Sequence, residues 1–223
     1  MSWNDCLYRY YKEHIGQYLG GREEDALLIL TWRGRPLAVD LYRESGRYGA
    51  FYHVQARIAV ELAKSYELII GARKPLAGGL NTILKVAPAV ANYAADLGYP
   101  EITQKRLIRT NYKPFTRQVL SYVDFRNALL SCPEDKVEIR PGPGEDGVHL
   151  ITVTTEANIS AAANSGGGWE LGQGASDTYT QIYGSQEEKD KLTRRIEETF
   201  FPRMDRFLDL ARTAYNAVTQ WPM

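Results

Sequence analysis

The chain has 223 residues, 44% apolar and 24% charged, with 27 cationic and 27 anionic side chains. This is the make-up of a soluble globular protein with a sizeable core, and its zero net charge argues against a surface built as a whole to bind polyanions. Cys6 and Cys132 are the only cysteines, which argues against a disulfide-stapled secreted domain and predicts two partly buried free thiols in a reducing, cytoplasmic compartment.

The first residues, Met1 to Asp5, have neither a basic nor an apolar leader region, so no signal peptide is predicted. Trp3, Leu7, Tyr10, Tyr11, Ile15, Tyr18 and Leu19 recur at helical spacing, which predicts one amphipathic helix over Ser2–Leu19, capped by Ser2 and stopped by Gly20 and Gly21. Ala26–Trp32 is an apolar run suited to a strand buried on both faces. The Arg33-Gly34 turn, alternation over Leu37–Tyr42, a loop over Ser45–Gly49, a strand over Ala50–Leu62 and a short strand at Tyr66–Ile70 complete a four-stranded antiparallel meander. Within the third strand Val54, Ala56, Ile58, Val60 and Leu62 share a core face, and His53, Gln55, Arg57 and Glu61 share a wet one.

Leu76–Pro100 reads as a helical crossover. It carries Asn81, Lys85, Pro88 and Asn92, so it fails as a membrane span. Arg106–Asn111 reads as a strand, Pro114–Tyr122 and Val123–Ser131 as short helices with Asp124 capping the second. Lys136–Arg140 and Val148–Thr155 form a hairpin around a Gly/Pro-rich turn. The stretch 158–184, rich in Gly, Ser and Ala, reads as a flexible loop. Ser185 with Glu188 is a capping box that opens a long apolar-striped C-terminal helix, which Pro202 is expected to kink or split.

The predicted fold is therefore α+β: an antiparallel meander plus a strand-helix-helix-hairpin unit, flanked by an N-terminal helix and a long C-terminal helix. It reads as one domain over 1–223, with sub-lobes 1–75 and 103–223 joined by the crossover 76–102.

The strongest local anomaly is a basic segment. Lys105, Arg106, Arg109, Lys113 and Arg117 are interleaved with Tyr112 and Phe115, and no acidic residue falls between Glu101 and Asp124. Cations beside ring faces suit single-stranded nucleic acid or a phosphorylated ligand, and equally suit a strand edge guarded against aggregation. His14, His53 and His149 have no ligand spacing, and no metal or cofactor motif is present. His53 or His149 beside Asp40 or Asp146 is the one acid–base arrangement a fold would have to assemble. Ser165 lacks the nucleophile-elbow pattern, Cys132 precedes Pro133 at a predicted helix end, and Gly166–Gly174 is neither a P-loop nor a dinucleotide fingerprint. Trp169 and Leu171 in that loop are candidates to dock on a groove, a ligand or a partner.

Tyr8, Tyr10, Tyr11 and Tyr18 are too many for one core stripe, which predicts either an interface for a protein partner through Tyr8, Tyr11 and Tyr18 or a rim of half-buried tyrosines around one core. The leading expectation is a non-catalytic binding or assembly module that forms a homo-oligomer. The alternatives are nucleic-acid or anion binding through 105–117, and an enzyme built around His53 or His149.

Overall fold

The computed structural model describes residues 3–20, 26–46, 49–72, 97–144, 146–155, 169 and 175–222. The elements are α1 (Trp3–Lys12), β1 (Gly16–Leu19), β2 (Leu27–Trp32), β3 (Arg35–Gly46), β4 (Gly49–Glu61), β5 (Leu68–Ala72), α2 (Pro100–Thr103), β6 (Arg106–Thr110), α3 (Lys113–Ser121), α4 (Val123–Ser131), β7 (Asp135–Pro141), β8 (Val148–Thr155), α5 (Ala175–Tyr183) and α6 (Gln186–Thr219). The strands form an eight-stranded sheet in the order β1-β2-β3-β4-β8-β7-β5-β6. The class is α+β.

Two compact units emerge, each from discontinuous chain: residues 1–57 with 154–208, and residues 58–153 with 209–223. The boundaries fall inside β4, β8 and α6. The crossover expected at 76–102 lies outside the described residues up to position 96.

In the first unit, β1, β2 and β3 pair antiparallel in register, with Gly16 opposite Leu30 and Leu28 opposite Val39. The β2–β3 turn is made by Arg33 and Gly34, both at positive φ, the conformation that matches the twist of a two-residue hairpin. The first helix is shorter than its periodicity predicts. It ends at Lys12, and Gly16–Leu19 is strand β1. Backbone pairing with β2 outweighs the helical spacing of Tyr18 and Leu19. Gly16 permits the pairing, since a Cβ there would lie 2.6 Å from the Ile29 carbonyl oxygen. Strand β2 is not buried on both faces: Leu28 and Leu30 are buried, Leu27 and Ile29 only half so.

The core of this unit is aromatic. Trp3, Trp169, Phe200 and Phe207 pack edge-on or tilted, with centroids 5.4 to 5.7 Å apart. Helix α1 is tied to α6 by the Tyr10 hydroxyl, which donates to Asp205 Oδ1 at 2.6 Å, and by Arg9 to Glu197 Oε1 at 2.7 Å. Part of the stretch expected as a flexible loop is ordered: 175–183 is helix α5. Ser185 and Glu188 form the capping box, with the Ser185 amide and hydroxyl donating to Glu188 Oε2 and the Glu188 amide donating back to Ser185 Oγ. Those bonds hold the Glu188 carboxyl below its ordinary pKa. Helix α6 is not split at Pro202. Proline removes one backbone donor, but Ile196, Phe200, Met204 and Phe207 on either side of it are buried and hold the helix in one piece.

In the second unit β5 pairs antiparallel with β6 and with β7, placing Leu68 between Thr110 and Ile139. The meander thus runs through β4 and stops: the β7–β8 hairpin stands between β4 and β5 in the strand order. A bond from the Leu62 amide to the Gly147 carbonyl, 2.8 Å, fixes that arrangement at its turn end. Helix α4 has Tyr122 at its N-cap with no side-chain bond, so Asp124 is a first-turn acid and not the cap.

Candidate functional site

Among the described residues, six of the nine large exposed apolar side chains fall in the first unit. Tyr8, Tyr11 and Tyr18 form a ring cluster with centroids 5.2 to 6.2 Å apart. Lys12 Nζ sits 4.8 Å from the Tyr8 centroid, a cation over a ring face. Tyr18 reaches this cluster from β1, not from the helix, and its hydroxyl donates to the Asn4 carbonyl at 3.3 Å. The cluster therefore clamps β1 onto α1. Ile15, Gln17 and Leu19 alternate with Gly16 and Tyr18 and are exposed; Ile15 is 96% exposed and Leu19 55%.

A groove of about 370 Å³ runs between α1, α5 and α6. Leu192 and Ile196 are buried at its floor, with Tyr8, Asp5, Arg9 and Lys189 around them. On α5, Tyr179, Ile182 and Tyr183 share one face at i, i+3 and i+4, and all are exposed, Tyr183 at 71%.

Trp169 docks on its own unit. It is fully buried, and its Nε1 donates to Thr155 Oγ1 at 3.1 Å. The Arg203 guanidinium lies 4.8 Å from the Trp169 ring centroid and donates to the same Thr155 oxygen at 3.4 Å. Leu171 lies outside the described residues.

The basic segment belongs to the second unit and divides. Arg106 is 2% exposed, and its guanidinium donates to the carbonyls of Cys132, Pro133 and Asp135. It braces the chain after α4 and is withdrawn from the surface set. Lys105, Arg109, Tyr112, Lys113 and Arg117 are exposed. Arg109 lines a second groove, of about 180 Å³, with Ile69, Thr110, Asn111 and the acidic Glu67. Phe115 is buried edge-on against Tyr66, 4.8 Å between centroids, and offers no stacking face to a base.

Each histidine has local partners of its own. His149 is buried; its Nε2 accepts the Tyr66 amide at 3.0 Å, and Nδ1 carries the hydrogen that reaches the Gly147 carbonyl at 3.2 Å. His53 Nδ1 lies 2.7 Å from the Thr155 carbonyl. Asp40 is engaged by Arg57 at 2.6 Å. His14 stacks on Tyr10 with centroids 3.8 Å apart and reaches the Tyr10 carbonyl at 2.7 Å. Among the described residues no group of His, Cys, Asp and Glu could hold a metal ion, and no helix is long and apolar enough to cross a membrane.

Comparison with family models, with curated proteins and with solved structures finds no match for this chain.

Proposed function

We propose that the protein is a non-catalytic binding and assembly module that associates with copies of itself through the apolar and aromatic surface of its first unit. The observation that carries this reading is where, among the described residues, the exposed large apolar side chains fall. Tyr8, Ile15, Leu19, Tyr179, Ile182 and Tyr183 are in the first unit; Leu107, Tyr112 and Val123 are in the second. Contiguous exposed apolar surface marks association sites, and a chain of zero net charge has no overall repulsion to keep copies apart. Cys6 and Cys132 are buried and not joined in a disulfide, which supports a reducing, cytoplasmic setting. Size-exclusion chromatography with light scattering over a wide concentration range tests the reading. It predicts a mass that rises to a discrete oligomer, and a monomer throughout removes it.

A second reading, recognition of an anionic ligand or nucleic acid, is favoured by Lys105, Arg109 and Lys113. These cations are exposed, and none has an acidic partner among the described residues. Binding of oligonucleotides or nucleotides at low salt that weakens in Arg109→Ala would support it. Retention of full binding by a Lys105→Ala/Arg109→Ala/Lys113→Ala chain would remove it.

A further inference from the structure

The two ends of the strand order differ in how they are guarded. Strand β6 carries exposed Arg109 and is preceded by exposed Lys105, charges that discourage edge-to-edge pairing. Strand β1 has none of these devices. From Ile15 to Gly20 the chain has no charge and no proline, and among the described strands its one neighbour is β2. On β1, Gln17 and Leu19 are exposed, and Ile15, in the bend just before the strand, is exposed as well, so the two apolar side chains stand two positions either side of Gln17.

We propose that β1 pairs antiparallel with β1 of a second copy about a twofold axis through Gln17, which rests on the self-association reading above and names its interface. In that register Gln17 faces its own symmetry mate. With the ladder extended by one residue into the bend at Ile15, that side chain faces the Leu19 of the other copy, so each dimer gains two Ile–Leu cross-strand pairs on the outward face. On the other face Gly16 comes opposite Tyr18. Gly16 has no side chain, which leaves room for the Tyr18 ring that α1 already holds through Tyr8 and Tyr11. A four-residue ladder is marginal by itself. The covering of a side chain as exposed as Ile15 is therefore an essential part of the association. An unrelated extended peptide could use the same backbone groups, but a second copy supplies the matched Ile–Leu pairs from Leu19 on the strand and Ile15 just before it.

The test uses the full chain. Opposed side chains in an antiparallel pair bring Cβ atoms to about 4.5–5.5 Å, near what a disulfide bridges. Cys6 and Cys132 are buried, so an oxidative cross-link reports on an introduced thiol. We expect Gln17→Cys to cross-link into a dimer under mild oxidation, and Tyr183→Cys on α5 not to. We also expect Leu19→Lys to weaken the dimer at least about tenfold, while exposed Ile15→Lys remains folded and does the same. A dimer that cross-links through Tyr183→Cys, not Gln17→Cys, and is unchanged by Leu19→Lys and Ile15→Lys overturns this interface and leaves the self-association reading standing. A wild-type chain that is monomeric at every concentration overturns both.

Discussion

The imidazole of His149 accepts the backbone amide of Tyr66 at 3.0 Å, joining positions 83 residues apart in the second unit. The bond uses a side chain to satisfy a buried backbone donor, and an unmet donor of that kind costs about 1–3 kcal/mol. His149→Ala should therefore lower unfolding free energy by about 2–4 kcal/mol, counting the cavity as well. His149→Gln, whose carbonyl oxygen can still accept, should recover part of it. Denaturant titrations of the three chains decide the matter, and an alanine variant within about 0.5 kcal/mol of wild type would contradict the role.

Tyr66 is held at its other end too. Its hydroxyl bonds Thr116 Oγ1 at 2.9 Å, and Thr116 bonds Thr110 Oγ1 at 2.8 Å. Burial pushes the phenol well above its ordinary pKa of 10.0, against the smaller opposing pull of the threonine hydroxyls. The unfolded chain therefore loses this proton first. The stability that Tyr66 contributes is complete below about pH 10 and falls as pH rises beyond it, by up to about 1.4 kcal/mol per pH unit. Tyr66→Phe should be less stable at pH 7 by about 1–2 kcal/mol and should show a shallower loss above pH 10. Parallel alkaline slopes for the two chains would refute the assignment.

Burial raises the Cys6 thiol to about 12, against a smaller lowering by the N-terminal amine. The reactive species is the thiolate, and Cys132 is buried as well. A thiol-reactive dye should label neither cysteine in the native chain on the minutes scale, and should label both in denaturant. One equivalent of fast native labelling would show that a cysteine is reached without unfolding.

Trp169→Ala should be among the costlier single changes, about 3–5 kcal/mol, because it empties the centre of an aromatic core. Trp169→Phe keeps much of the ring packing and loses the bond to Thr155, for about 1–2 kcal/mol. Equal losses in the two variants would mean that the packing contributes nothing beyond that bond.

Gly16→Ala tests the seat of β1. Its Cβ would stand 2.6 Å from the Ile29 carbonyl oxygen and 2.9 Å from a Leu30 methyl. The strand must shift, at about 1–3 kcal/mol. Amide exchange should quicken over 16–19 and spare β5–β6. Unchanged protection across β1 would mean the strand moves at no expense.

Much of the fold is written in local pattern. The alternation of Val54, Ala56, Ile58, Val60 and Leu62 with His53, Gln55 and Arg57 is the burial pattern of β4, and the Ser185–Glu188 box opens α6 where it should. What is not local reads badly. The helical spacing of α1 continues by coincidence through Ile15, Tyr18 and Leu19, and pairing with β2 makes Gly16–Leu19 a strand. Strand parity carries the burial of two side chains: Arg106 shares it with buried Ile108, and His149 with Ile151 and Val153, so both point inward. The apolar face of α5, at 179, 182 and 183, was hidden by the glycine-rich stretch around it. Nothing local foretells that Trp169 lands between Trp3 and Phe207, because its partners lie at opposite ends of the chain.

The bond from Tyr10 to Asp205 spans 195 positions. A ribosome adds about 5–20 residues per second, so roughly 10–40 s separate the synthesis of α1 from that of its partner. During that interval Trp3, Leu7 and Tyr10 exist without α6, and the first unit cannot close. The second unit has most of its chain, 58–153, in hand well before then. Vectorial synthesis thus inverts the order of the chain: the helix made first is among the last to be sheltered, and an early stop anywhere before α6 leaves its apolar face to chaperones.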